Sequence, residues 1–233
     1  MCDAVEMVCL ANSEKHGARC VAGVRLDTGG WLRPVSNDDG AGLLENQYVT
    51  VSGHHPRPLD IIRVKIGHQR PKYHQPENWV ISGKPWALLE TSLNERALLA
   101  INAALQQDGF IFGDSSGSIP KAELTEIPVM RSLTLVSPIE PEFYVREKDN
   151  GKFQPRTGFK FGGYNYDFPI TAPKWREQAR TKGIDSLPTA EDVGDDEEIL
   201  FTISLGEATR NTKRCYKLVA AVFSIDSDKV ISM

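Results

Sequence analysis

The run Arg19-Cys20-Val21-Ala22-Gly23-Val24-Arg25-Leu26-Asp27-Thr28-Gly29-Gly30-Trp31-Leu32-Arg33-Pro34-Val35 decides the fold class. Two β-rich stretches, Arg19 to Leu26 and Trp31 to Val35, flank Asp27-Thr28-Gly29-Gly30, whose glycines reach the positive φ angles of a tight hairpin turn. Upstream, Val5 to Leu10 supplies another strand, so the chain opens on an antiparallel meander. Downstream, apolar and charged residues alternate from Ile62 to Ile66, as in a strand with one buried and one wet face. Gly53-His54-His55-Pro56-Arg57-Pro58 reads as the loop between them.

From Ser92 the period changes. Ser92 with Glu95 forms a capping box, and Leu93, Ala97, Ile101 and Leu105 follow four apart before Asp108-Gly109 ends the helix. Gly113 to Pro120 is a flexible loop, and the module boundary belongs near it. Strands resume at Arg131 to Val136 and Glu142 to Lys148, with a hairpin turn at Asn150-Gly151. In Phe159-Lys160-Phe161-Gly162-Gly163-Tyr164-Asn165-Tyr166, a two-residue Gly-Gly turn pairs Phe161 with Tyr164 and Phe159 with Tyr166, all four rings on one face. Pro173 to Lys182 reads as a short helix, and Ile199 to Leu205 and Cys215 to Ile225 as central strands. The apolar phase predicts burial of Leu98, Ile101, Leu105, Leu133, Leu135, Ile203, Leu218 and Val222. Asp27 to Pro34 and Asp149 to Arg156 share an Asp, Gly, aromatic, Pro pattern, which chance or a duplicated module explains.

The 233 residues, 40% hydrophobic and 25% charged, suit one large domain or two small modules and exclude wholesale disorder. The apolar run Leu218 to Phe223 is too short to span a bilayer, and Met1 to Glu6 lacks the features of a signal peptide. A cytoplasmic location without membrane attachment is expected. The net charge of −4 disfavours a globally basic binder. Locally the balance reverses: Arg146 to Lys182 carries nine Lys and Arg against four acids, and Asp185 to Glu198 then carries seven acids and no base. The four cysteines form no CxxC pair, and they are expected to be reduced.

Cys9 to Gly23, with its Lys15-His16-Gly17-Ala18-Arg19-Cys20-Val21-Ala22-Gly23 core, resembles the dual OB-fold domain family of bacterial proteins, as do Trp31 to Ser36 and His74-Gln75-Pro76-Glu77-Asn78-Trp79. Ser204 to Glu207 and Cys215 to Ala221 match its C-terminal strands. The resemblance implies a mainly β fold with a few helices (α+β), two OB-like small barrels in tandem. The expected layout is 1–85 for the first barrel, 86–120 for a connecting helix and flexible loop, and 121–233 for the second. It also implies nucleic-acid binding and a link to anti-phage defence, and it carries no catalytic residues.

Nine of the 19 aromatics lie between Phe143 and Trp175, interleaved with Lys152, Arg156, Lys160 and Lys174. Rings that stack on bases beside cations that neutralise phosphate are the equipment of a single-strand binder; rings on one hairpin face also fill a barrel core. Arg156, Lys160, Tyr164 and Tyr166 are the candidates here. Ser13, Lys15, Arg19 and Arg33 form a second set, suited to phosphate contact or, alternatively, to a polar turn in which Arg33 holds a carboxylate such as Asp60. Cys20 with His16 could suggest a nucleophile and base, but no third orienting residue can be identified from spacing. No HExxH or Walker motif is present, so no metal or other cofactor is expected. Asp114-Ser115-Ser116-Gly117 has the composition of a phosphate loop and nothing more. The leading expectation is a non-catalytic nucleic-acid-binding or nucleic-acid-sensing module, single strands favoured, acting with a protein effector. The alternatives are an enzyme of nucleotide or nucleic-acid metabolism with its site between the barrels, and a protein-interaction adaptor.

Overall fold

The computed structural model describes residues 3–15, 17–83, 86–148, 151–182 and 197–226. The chain divides into two compact units, 1–104 and 105–233. In the first, the meander forms β1 (Asp3–Lys15), β2 (Ala18–Arg25) and β3 (Trp31–Val35). The short helix α1 (Glu45–Tyr48) follows, then β4 (Ile61–Gln69), β5 (Asn78–Ile81) and β6 (Ala87–Glu90). β1 pairs with β2 through Met7–Lys15 and with β4 through Asp3–Val8. β2 pairs with β3, β3 runs parallel to β5, and β5 is antiparallel to β4. The circuit β1-β2-β3-β5-β4 therefore closes into a five-stranded barrel, with β6 added along the start of β4.

β1 serves two neighbours because it bends at a bulge between Cys9 and Ala11. There a Cβ on Gly23 would lie 2.1 Å from the Val8 carbonyl oxygen, so only glycine lets β2 approach the bend. Met7, Cys9, Val21, Leu32, Ile62, Val64 and Trp86 fill the interior, while Arg63 and Lys65 alternate outward as the strand pattern requires. Each buried Val, Leu or Ile contributes about 1.5 to 3 kcal/mol.

Helix α2 (Glu95–Ala104) packs against β1 and β2 through Ala97, Ala100, Ile101 and Ala104. Its N-cap is not the expected Ser92. Asn94 Oδ1 accepts the Ala97 N–H at 3.0 Å, while Asn94 Nδ2 donates to Glu90 Oε1, so the helix starts two residues later. Asn94→Ala is expected to cost about 1 kcal/mol in urea unfolding, and Ser92→Ala less than about 0.5 kcal/mol. The helix also stops before Asp108-Gly109, because Gln106 N–H leaves it to bond the Leu135 carbonyl.

The second unit holds β7 (Ser118–Pro120), α3 (Lys121–Glu126), β8 (Leu133–Val136) and β9 (Ile139–Glu147). β10 (Phe153–Phe161), β11 (Tyr164–Pro169), α4 (Pro173–Lys182), β12 (Glu197–Ala208) and β13 (Arg214–Asp226) complete it. β9, β10 and β11 form one sheet; β7, β13, β12 and β8 form another. β8 and β9 are one strand interrupted at Ser137-Pro138, where proline cannot donate to a ladder. The two halves pair with β12 and β10 respectively. A parallel bridge between Ile170 and Val219 joins the sheets, so β8/β9-β10-β11-β13-β12 repeats the circuit of the first unit in a curled sheet. In both units a helix separates the third and fourth strands, α1 in one and α4 in the other. This is the strand order of tandem OB-like barrels, in a mainly β chain.

The repeat is real in topology, but the sequence echo does not mark it. Asp27 to Gly30 links the second and third strands of its barrel, whereas the stretch from Asp149 leads from the first to the second. Of the residues expected to be buried, Ile101, Leu133, Leu135 and Ile203 are, while Leu98, Leu105, Leu218 and Val222 are half-buried. Among the described residues no helix is long and apolar enough to cross a membrane.

Candidate nucleic-acid interface

OB barrels bind strands on the face of their second and third strands, bordered by the loop between the first and second. In the second unit that loop turns tightly: Lys148 N–H donates to the Lys152 carbonyl and Gly151 N–H to the Lys148 carbonyl, with Gly151 at φ 70°. Asn150 of the expected turn lies outside the described residues. The turn brings Lys148 and Lys152 together at the start of β10. On α4, Trp175 and Ala179 are buried while Arg176 and Arg180, one turn apart, line the same cleft as the two lysines. Phe153, Gln154, Pro155, Ile170 and Thr171 complete its walls, enclosing about 520 Å³. The described residues that line it include four cations and no carboxylate. Burial lowers the Lys148 ammonium below its ordinary range, and Arg176, Arg156 and Lys152 push it the same way. Such a site favours a compact anion.

The residues expected from the hairpin divide between its two faces. The ring pairs Phe161/Tyr164 and Phe159/Tyr166 stand in the anticipated register. Tyr166 points inward, 3% exposed, where its ring lies 5.5 Å from that of Phe159 and its hydroxyl accepts the Ile111 N–H. It is out of reach of a strand on the surface. Tyr164, 39% exposed at the hairpin tip, stacks on Phe110 at 4.2 Å. Arg156 and Lys160 lie on the outer face, each against a carboxylate: Arg156 Nε on Asp167 at 2.9 Å and Lys160 Nζ on Glu140 at 2.5 Å.

In the first unit, Ser13 and Arg33 are buried rather than presented to solvent. The Arg33 guanidinium faces Glu77 at 4.0 Å, and its Nη1 donates to Cys20 Sγ. The anticipated partner Asp60 instead accepts the Arg57 N–H and lies 2.6 Å from His54 Nε2. In the family-like stretch from His74 to Asn78, His74, Gln75, Glu77 and Asn78 are buried, and the Glu77 carbonyl accepts the Arg33 backbone N–H. Arg19 is half-buried and its backbone pairs with Leu43. The Lys15 side chain and His16 lie outside the described residues, as does most of the acidic run, Asp185 to Asp196.

Burial raises the Cys9 thiol well above its usual range, with Asp60 adding to the effect, and burial with Glu207 nearby pushes Cys215 up to about 11. Both stay protonated thiols. Among the described residues no three His, Cys, Asp or Glu side chains group as metal ligands. The imagined phosphate loop is occupied from within: Asp114 Oδ1 takes the Ser116 N–H and hydroxyl and the Lys217 ammonium, at 2.7 to 2.8 Å.

Sequence reading missed Lys148, Arg176 and Arg180 as one site. Its signal was there in the basic excess between Arg146 and Lys182, and Arg176 and Arg180 share a helix face at a spacing of four.

Among curated proteins nothing matches the chain. A solved structure described as a murine DNA binding protein bound with ds DNA is similar over 96% of this chain and 99% of that one. At 8% identity and a TM-score of 0.33, that likeness carries no argument about this fold or its ligand. The model of the dual OB-containing domain matches residues 5–222, and with the same strand circuit in both units, one closed into a barrel and one a curled sheet, the chain belongs to that family.

Proposed function

We propose that this protein is a nucleic-acid-binding module that takes single strands through the second barrel. The observation that carries this reading is the four-cation cleft at the loop between the first two strands of an OB circuit. Lys148, Lys152, Arg176 and Arg180 neutralise phosphate, and Phe153, 40% exposed on the cleft wall, stacks on a base. Arg156 and Lys160, which can exchange surface carboxylates for phosphates, and Lys15 and Arg19 in the first unit are secondary contacts of the same kind. In the bacterial anti-phage setting implied by the family resemblance, this cytoplasmic binding step is the sensing event and a partner effector gives the response.

The test is titration of fluorescent single-stranded DNA and RNA at increasing salt. Affinity should fall with a log–log slope of about −2 to −3, and Arg176→Ala should flatten it by about 0.7 with the thermal midpoint unmoved. A folded protein whose binding is undetectable, or insensitive to salt, would sink the proposal.

A further inference from the structure

We infer that the second unit pairs with a second copy of this chain through an apolar groove beside α3, independently of the strand-binding reading. Helix α3 stops because Pro128 disfavours helical geometry at Ile127 and has no N–H to donate. Ile127-Pro128-Val129-Met130 then runs apolar without entering a helix or a strand. It borders a groove of about 360 Å³ whose lining includes the buried Ile119 and Leu124. At the same groove Met130 is 94% exposed and Ile127 75%. Phe110 lines it too and stacks on Tyr164, so four of the nine large apolar side chains that stand exposed among the described residues gather on one patch. Single exposed apolar residues are ordinary, whereas a gathered patch marks an association surface.

Two properties of the patch identify its occupant as a second copy. It carries a peg and a hollow together: Met130 projects beside a groove large enough for a methionine side chain, whose unbranched thioether adapts to irregular gaps. In a two-fold pairing, residue i of one copy meets residue j of the other and the reverse, so each Met130 enters the opposite groove and both hollows fill. The lining also holds one acid, Glu123, and one base, Arg131, both exposed. Among the described residues neither has an ion pair, and Arg131 Nη2 donates to the neutral amide oxygen of Gln106 at 3.0 Å. The same two-fold operation sets Glu123 of each copy against Arg131 of the other, a charged rim around an apolar contact. A groove of one sign would call for a partner of the opposite sign; this one is complementary to itself. It shares no lining residue with the cationic cleft, so pairing and strand binding use different surfaces.

The experiment is sedimentation velocity of the full chain. Between about 1 and 100 μM, monomer should give way to dimer, and Met130→Glu should weaken association at least about tenfold. Glu123→Lys alone and Arg131→Glu alone should each weaken it by about the same factor, since each homodimer then sets like charges face to face. Mixing these two variants in equal amounts should restore association to the parent's level, because in the mixed dimer both facing pairs are again opposite in sign. All three residues are exposed, so the dilute variants should keep the parent's thermal midpoint. A parent that stays monomeric at about 100 μM overturns the pairing and leaves the groove to a different protein. A dimer insensitive to Met130→Glu, or a mixture no better associated than its components, overturns the two-fold interface.

Discussion

Tyr166→Ala is expected to destabilise the second unit by about 3 to 5 kcal/mol, while Tyr164→Ala, two residues away on the same strand phase, should cost about 1 kcal/mol. Tyr166 belongs to a ring cluster with Phe159, Phe168 and Phe201, at centroid distances of 5.3 to 5.6 Å. Its loss opens a cavity and strips the buried Ile111 N–H of its acceptor. Tyr164 gives up one stacked neighbour, Phe110, at a wet surface. Urea unfolding with unchanged m-values measures both. Equal costs for the two would contradict the placement of Tyr166 inside and Tyr164 at the rim. If Tyr164 also stacks on bases, its alanine variant loses affinity with little loss of stability.

The second large effect concerns a buried charge. Lys217 is fully buried on β13 and its ammonium lies 2.7 Å from Asp114 Oδ1 and 2.8 Å from the Asp114 carbonyl oxygen. Asp114→Ala removes the counter-charge and should cost on the order of 3 kcal/mol near neutral pH, whereas Lys217→Met, which removes the charge itself, should stay within about 1.5 kcal/mol of the parent. The deficit of Asp114→Ala depends on pH in both directions. Burial works to raise the Asp114 carboxyl, but Lys217 and Ser116 outweigh it and hold it below its ordinary value. Its contribution is thus present above the unfolded value and is lost as pH falls through the folded one. For Lys217, burial lowers the ammonium below its ordinary value although Asp114 pulls it back up. The unfolded chain then holds the proton that the folded one releases, and stability rises with pH through that interval. Without Asp114 the lysine discharges at lower pH. The gap between parent and variant should therefore be widest near neutrality and narrow toward both acid and alkali; a gap independent of pH would contradict the pair.

The sequence carried the local geometry further than the long-range contacts. The Gly162-Gly163 turn announces the register of β10 and β11, and α4 runs from Pro173 to Lys182 as anticipated, because turn chemistry and period are written in neighbouring residues. Tyr164 and Tyr166 could not be told apart that way, since both share one strand phase and only Phe110, from another segment, stacks on Tyr164 at the tip. Arg33 reads as a surface cation until Glu77 meets it inside the barrel. The cleft is likewise invisible in one dimension: two strands separate Lys148 from Arg176, and the fold brings them together. Ser92 was the more obvious cap beside Glu95, but the side chain of Asn94 reaches the first turn.

The second barrel is joined between β11 and β13 by one parallel bridge, reinforced by Thr171, whose N–H and hydroxyl both reach the Val219 carbonyl. Thr171 and Ile170 also line the cationic cleft. The stitch that joins β11 to β13 therefore lies on the wall of the proposed docking cleft. If the cleft takes an anion as proposed, the occupant would cover the seam from the side of Ile170 and Thr171, so slowed amide exchange at Thr171 would serve as a gauge of occupancy.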